Sequence, residues 1–192
     1  VPVAELDRIK LELMDKNGFA DCYVRAFSWR GSEMMGVAAQ QASIRTCVAV
    51  WEWGNYFADK NKGIRVTMSE WKRPSPETIP SAAKAAGLYM ICTMSKHKAE
   101  AEGFADALML DYRGYVAELT GANVFLTRDG AIHTPTPDCF LNGITRQTVI
   151  ELARARGFEV IERHITPEEL STFSECFITG SAAEVTPVAE MA

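Results

Sequence analysis

Apolar residues recur at helical spacing through residues 3–17, where Leu6, Ile9, Leu13 and Met14 share a face and Gly18 follows as a stop. The period then shortens. Residues 22–29 alternate as a strand with Tyr23, Arg25 and Phe27 on one face, and residues 43–53 and 64–71 are two further extended runs rich in β-branched and aromatic side chains. A Pro-rich stretch at 73–80 (R-P-S-P-E-T-I-P) leads into a long helical pattern that ends near Gly103. Short strand-like pieces follow at 107–111, 115–119, 123–127 and 131–133, the last two joined by the tight turn Arg128-Asp129-Gly130. Gly143-Ile144-Thr145-Arg146 opens an amphipathic helix running to Arg156, with Gly157 where a left-handed residue ends a helix. A strand at 158–165, a short helix opened by Thr166-Pro167-Glu168-Glu169, and a strand pair around 176–180 and 184–188 complete the pattern. Elements in this order predict an α+β fold with mostly antiparallel sheets and packed helices.

The polar, turn-rich segment after Trp53 interrupts the pattern and reads as an interdomain linker. A chain of 192 residues, 47% hydrophobic and 23% charged, holds one large domain or one domain and part of another. A net charge of -5 argues against nucleic acid as a partner. No apolar run approaches the ~20 residues that span a bilayer, and no signal-peptide pattern opens the chain, so no membrane partner is expected. Five scattered cysteines without a C-x-x-C, and three dispersed histidines, predict reduced core thiols in a cytoplasmic protein and no metal site. The chain begins at Val1, without an initiator methionine and on the approach to a helix, which reads as a fragment.

Two residues are anomalous where they stand. Lys84 lies in S-A-A-K-A-A-G, among small side chains where burial would favour a neutral, nucleophilic amine. The common alternative is a surface lysine on the first turn of an ordinary helix. Glu118 lies on G-Y-V-A-E-L, a run that otherwise reads as a half-buried strand, where alternation puts it on the face of Val116. Its common alternative is a solvated glutamate on an edge strand. A pocket amine and a pocket carboxylate are what a pyridoxal phosphate enzyme needs, one to take the aldehyde and one to hold the ring nitrogen protonated. Two donor-rich turns follow: Gly143-Ile144-Thr145 at a helix start, and Gly180-Ser181-Ala182-Ala183. Either can approach an anion, though any helix can begin Gly-x-Thr. Arg25, flanked by aromatics, can clamp a carboxylate or reach solvent, and Trp53 and Tyr56 read as packing residues unless a pocket lies beside them.

As a set these residues resemble the class IV, fold-type IV pyridoxal phosphate aminotransferases, and most closely the branched-chain amino acid aminotransferases. The matching stretches are Tyr23-Val24-Arg25, Met35-Gly36-Val37, Trp53-Gly54-Asn55-Tyr56, T-I-P-S-A-A-K ending at Lys84, Glu118 with the following G-A-N-V-F, G-I-T-R at 143–146 and G-S-A-A-E-V-T-P at 180–187; they occur in family order over nearly the whole chain. The resemblance overturns the bland readings of Lys84 and Glu118. It implies that Lys84 is the Schiff-base lysine and proton shuttle, Glu118 the partner of the pyridine nitrogen, and Tyr89 the hydrogen-bond partner of the phenolic oxygen. Ile144, Thr145 and Ser181 match phosphate-binding positions. Tyr23 and Arg25 match the pair that receives an acidic substrate's distal carboxylate. Trp53 and Tyr56 match walls of the aliphatic pocket, with Gly36, Val37 and Ala182 lining it or contacting the α-carboxylate.

The implied reaction is transamination of leucine, isoleucine or valine with 2-oxoglutarate by a homodimer or dimer-based assembly. Other enzymes on this scaffold (D-amino acid aminotransferases, (R)-amine transaminases, aminodeoxychorismate lyases) and an inactive fragment are the alternatives. Two departures stand out. Leu119 replaces a residue that is commonly small. Most of the family's small N-terminal domain is also missing, and with it an arginine that grips the cofactor phosphate. By this correspondence residues 1–52 are the last part of the small domain, 53–62 the linker and 63–192 the cofactor domain.

Overall fold

A computed structural model describes residues 1–54, 56–57 and 62–192 and divides the chain into two compact units, residues 1–54 and 55–192. Of the expected linker, positions 55 and 58–61 lie outside the described residues.

The first unit is a helix and a hairpin. Helix α1 (Val3–Asn17) follows the apolar spacing and ends at Gly18, whose φ of 70° lets Phe19 N–H reach back to the Met14 carbonyl, 3.0 Å away. Arg8 ties its exposed face together by pairing with Glu5 and Glu12. Strands β1 (Tyr23–Arg30) and β2 (Ile44–Trp51) pair antiparallel from Tyr23 opposite Trp51 to Arg30 opposite Ile44. No side chain of α1 is buried, and β1 is exposed from Arg25 onward.

The second unit is an eight-stranded mixed sheet. Its strands are β3 (Ile64–Met68), β4 (Asp106–Leu110), β5 (Val116–Leu119), β6 (Asn123–Arg128), β7 (Ala131–Pro135), β8 (Val160–Arg163), β9 (Glu175–Gly180) and β10 (Glu184–Met191). They run in the order β5-β4-β3-β10-β9-β6-β7-β8. Because β5 also pairs with β6, six of the strands close on themselves around a core that includes Val66, Leu108, Leu119, Val124, Leu126 and Ile178. The β3–β4, β3–β10 and β7–β8 pairs are parallel and the other described pairs antiparallel. Asp129 (φ 54°) and Gly130 (φ 81°) form the two-residue turn between β6 and β7.

Two further helices belong to this unit, α2 (Met90–Ala101) and α3 (Ile144–Ala155). Helix α3 lies on the outside of the ring, where Ile150 and Ala153 pack with Phe125 and Val160. Phe125 and Phe177 stack at 4.9 Å on that face. Along β6 the side chains alternate, Val124 and Leu126 toward the main core and Asn123 with Phe125 toward α3. That alternation brings Asn123 to the start of the helix.

Two expectations fail here. The helical pattern before Gly103 begins only at a 3₁₀ turn (Ala86–Tyr89) that runs into α2. Lys84 precedes both, and Ala85 is extended at φ −103°, ψ 139°. The alanine-rich stretch has helix propensity, but Pro80 and the extended Ala85 hold it open. Strand β5 is buried on both faces rather than one. Val116 pairs with Leu110 and Glu118 with Met109, so Ala117 is an extra residue in a bulge. Val116 therefore joins Leu119 in the main core, and Glu118 faces away from both, together with Ala117, which packs on Cys139 and Phe140.

No helix among the described residues is long and apolar enough to cross a membrane. The three groups that could converge on a metal ion, Asp111, Asp138 and Cys139, have Arg113 in their midst, donating to Asp111 at 2.6 Å and to Asp138 at 2.8 Å.

Candidate active site

At the start of α3 the second unit opens into a cleft of about 260 Å³, just below the usual range for ligand pockets (roughly 300–1,000 Å³). Lys84, Tyr89, Glu118, Ile144, Thr145 and Ser181 all line it. The six arrive from four places: the irregular segment before α2, strand β5, the first turn of α3, and the turn between β9 and β10.

Lys84 is exposed rather than buried, which corrects the expectation of an amine enclosed by alanines. Its Nζ donates to Tyr89 Oη at 2.8 Å and lies 5.3 Å from the centre of that ring. Tyr89 closes the 3₁₀ turn, so amine and phenol are held five residues apart by a rigid bend.

Glu118 is the buried counterpart, with 7% of its surface exposed. Its Oε2 accepts a 3.1 Å hydrogen bond from Asn123 Nδ2, and its Oε1 lies 3.5 Å from Arg73 Nε. Burial pushes this carboxyl up to about 8. The Arg73 and Lys84 cations pull it down, and Asp106 behind it pushes the same way as burial. The acid therefore sits in a place that holds a proton until a further positive charge is set against it.

Arg73 and Asn123 complete the arrangement, and the sequence singles out neither as a site residue. Arg73 is 3% exposed, lines the cleft and donates through Nη1 to the Cys92 sulfur at 3.0 Å, while its Nε has no hydrogen-bond partner. The proline after it keeps Arg73 extended, and a single bridge to Asp111 fixes it beside β4. Asn123 pairs with Glu118 across the β5–β6 turn, donates to the Leu141 carbonyl at 3.0 Å and accepts from Gly143 N–H at 3.2 Å. One amide thus couples the acid to the start of α3.

That helix start is shaped for an anion. Gly143 caps α3 without any side-chain hydrogen bond, which leaves the first N–H groups of the helix free, and a Cβ at 143 would collide with Asn123 Oδ1. Across the cleft, Thr179 and Gly180 end β9, and Thr186 Oγ1 anchors the following turn by donating to the Ala183 carbonyl at 2.7 Å. The Thr179 hydroxyl is buried, with 1% of the residue exposed, and has no partner. Ala182 lies in the same turn but does not border the cleft. Its neighbour Ser181 does.

The remaining candidates divide between the units. Tyr56 belongs to the second unit, where its hydroxyl lies 4.0 Å from the position a Cβ on Gly121 would take, at the cleft wall. In the first unit Tyr23, Trp51 and Trp53 form a ring cluster with centroids 4.8–5.7 Å apart. Arg25 is exposed on β1 opposite Ala49, and Gly36 (φ 126°) and the wholly exposed Val37 lie in the connection between β1 and β2.

A family model described as Amino-transferase class IV matches residues 1–191. The branched-chain-amino-acid aminotransferase of Pseudomonas aeruginosa is 36% identical over 189 residues, covering 97% of this chain and 62% of that protein. Among solved structures, the branched-chain amino acid aminotransferase of Escherichia coli superposes with a TM-score of 0.95 at 34% identity, over all of this chain and 64% of that one. The branched-chain aminotransferase of Thermoproteus uzoniensis with norvaline gives 0.94 at 33%, over all of this chain and 64% of that one. The chain therefore spans about three fifths of the length of the relatives it matches. By sequence along its whole length, and by a fold that it shares with these enzymes, it belongs to the class IV aminotransferase family.

Proposed function

We propose that this chain carries the cofactor domain of a pyridoxal phosphate-dependent branched-chain amino acid transaminase. In this reading residues 1–52 are the last part of a small domain, 53–62 a linker and 63–192 the cofactor domain. The observation that carries it is the convergence on one cleft of Lys84, Glu118, the free amides of α3 and the Gly180-Ser181 turn. The residues present fit the group. A buried acid that keeps its proton suits a basic ring nitrogen, and a buried hydroxyl without a partner suits a ligand bearing acceptor oxygens.

When bound, pyridoxal phosphate supplies an aldehyde that accepts the amino group and a ring that accepts the electron pair left when Cα loses its proton. Lys84 Nζ would hold the aldehyde carbon between turnovers and, once displaced by the substrate's amino group, would carry the proton taken from substrate Cα. Tyr89 Oη, 2.8 Å from that nitrogen, orients it and would be the hydrogen-bond partner of the phenolic oxygen. Glu118, paired with Arg73 and Asn123, keeps the ring nitrogen protonated. The N–H groups of Ile144 and Thr145, the Thr145 hydroxyl and Ser181 hold the phosphate.

On the substrate side, Tyr23 and Arg25 receive the distal carboxylate of glutamate, and Trp53 and Tyr56 wall the aliphatic pocket. Gly36, Val37 and Ala182 stand near the α-carboxylate. The enzyme works as a dimer or dimer-based assembly in the cytoplasm, where unpaired thiols are stable. All five cysteines are free, which supports that compartment.

The test is glutamate formation from 2-oxoglutarate with L-leucine, D-alanine or an (R)-arylamine as donor, using the protein of the full reading frame. L-Leucine is expected to lead, and Lys84→Ala to lose at least ~10³-fold in turnover. A visible absorbance lost on borohydride reduction, with mass added at Lys84, reports the cofactor bond. Turnover by Lys84→Ala at near the normal rate overturns the reading, and preference for D-alanine or the arylamine overturns the substrate class alone.

A further inference from the structure

Lys96 on α2 is largely withdrawn from solvent, with 22% of its side chain exposed. Its Nζ donates to the Ala105 carbonyl and lies 5.6 and 5.5 Å from the centres of the Tyr56 and Phe57 rings. Two carboxylates face it: Glu100 at 3.6 Å on its own helix, half exposed, and Asp106 Oδ2 at 3.9 Å, buried and without a hydrogen-bond partner. Asp106 reaches the cleft through its other oxygen, which accepts from the cleft-lining hydroxyl of Thr120 at 2.6 Å. The neighbouring Gly121 is where the Tyr56 hydroxyl comes to rest.

One ammonium group thus joins three pieces of chain: the aromatic pair Tyr56-Phe57, the start of β4, and, through Asp106, the Thr120-Gly121 turn. Each contact is directional. Both rings share the same cation, and Phe57 is buried in the main core, so the Tyr56 ring is restrained while its hydroxyl end lies beside Gly121, a residue of the cleft lining. Asp106, with an oxygen to spare, gives the ammonium its fixed anchor on the far side.

We infer that Lys96 is a positioning residue for substrate selectivity, acting through Tyr56 and the Thr120-Gly121 turn to set how closely an aliphatic side chain is held, without touching it. This rests on the transaminase reading given above. Lys96 then governs ground-state fit and leaves the proton transfers at Lys84 alone, so its signature is in KM and not in kcat. A guanidinium at position 96 keeps the contact with the rings and the carboxylate; an isosteric thioether loses both.

The experiment compares Lys96→Met, Lys96→Arg, Tyr56→Leu and the Lys96→Met/Tyr56→Leu pair in the holoenzyme of the full reading frame. The expected result is a KM for L-leucine raised about five-fold in Lys96→Met with kcat within about two-fold, recovery to within about two-fold in Lys96→Arg, and no further loss from Lys96→Met once Tyr56 is leucine. Multiplying effects in the pair, or a loss in kcat with KM unchanged, overturns the inference. Hydrogen exchange of amides 119–122 is read on the same proteins and needs no turnover. It speeds about ten-fold in Lys96→Met and stays near the parent in Lys96→Arg if the ammonium holds the turn. Unchanged exchange in Lys96→Met overturns the inference even if leucine is a substrate, whereas faster exchange with no leucine turnover by the parent counts against the transaminase reading and not against Lys96.

Discussion

Tyr23 and Arg25 stand two residues apart on an exposed hairpin, while Glu118 and Asn123 face each other across two strands with both faces buried. The two pairs are aligned by the same device, a strand whose register is fixed by its neighbour. They differ in what fixes the side chains. On the hairpin, tilted ring contacts join Tyr23 to Trp51 and Trp53, and Arg25 is exposed. In the cleft the acid and its neighbours lean on one another: Arg73 on Glu118 and Cys92, Glu118 on Asn123, and Asn123 on Gly143. Chemistry that moves a proton needs the second kind of support, because a buried charge left without its partner is costly. In the transaminase reading proposed above, recognition of a substrate's far end would be served by the first, where a long side chain can adjust to what it meets.

The contrast breaks most sharply at Arg73. At pH 9, where Glu118 is ionised, replacing it with Met leaves that carboxylate buried without its nearest cation, and denaturant unfolding of the ligand-free protein should show a loss of up to ~3–5 kcal/mol. Adding Glu118→Gln should recover much of it, since a neutral amide needs no cation. If the two losses simply add, the pair is not the unit described.

A comparable effect lies in the pH dependence of stability. Glu118 holds its proton up to about 8 in the fold, against an ordinary 4.5 in the open chain. Its contribution is fully present below 4.5 and is lost as pH rises toward 8, because the unfolded chain gives up the proton first. Urea unfolding of the ligand-free protein at pH 5 and pH 8.5 should show stability falling with up to about one proton linked, and Glu118→Gln should remove that slope. Asp106, raised by burial, slopes the same way, so the difference between parent and variant isolates Glu118.

The smallest effect is expected on the hairpin. Arg25→Ala should change unfolding free energy by no more than about 0.5 kcal/mol, as for other exposed positions. In the holoenzyme it should raise KM for glutamate while leaving leucine nearly untouched. An equal loss for both substrates would place Arg25 in a supporting role and erase the distinction between the two regions.

Much of this is legible in the sequence alone. The span of α1, the two-residue turn at Asp129-Gly130 and the start and stop of α3 follow from local spacing and from glycine's tolerance of positive φ, as at Gly18 and Gly157. Lys84, Glu118, Thr145 and Ser181 are legible as a set, through short stretches that recur in family order. What local pattern cannot carry is tertiary accounting. Arg73 reads as a surface cation in a Pro-rich loop, and only the burial of Glu118 gives it a task. Asn123 stands inside a stretch that is legible as a strand, yet its three hydrogen bonds join residues from 118 to 143. The alanines around Lys84 suggest a helix because propensity ignores the need to turn the amine toward Tyr89.

The supernumerary alanine at 117 has an effect out of proportion to its size. It offsets by one the parity of β5, so that valine 116 and leucine 119 fall on the oily side and the acid between them on the wet one. Were those same residues to run in unbroken alternation, with the alanine taking a partner of its own, the acid would turn to the interior of the ring and a leucine to the cleft, with no change in any reactive group. Position along the thread, as much as the carboxyl itself, makes 118 what it is.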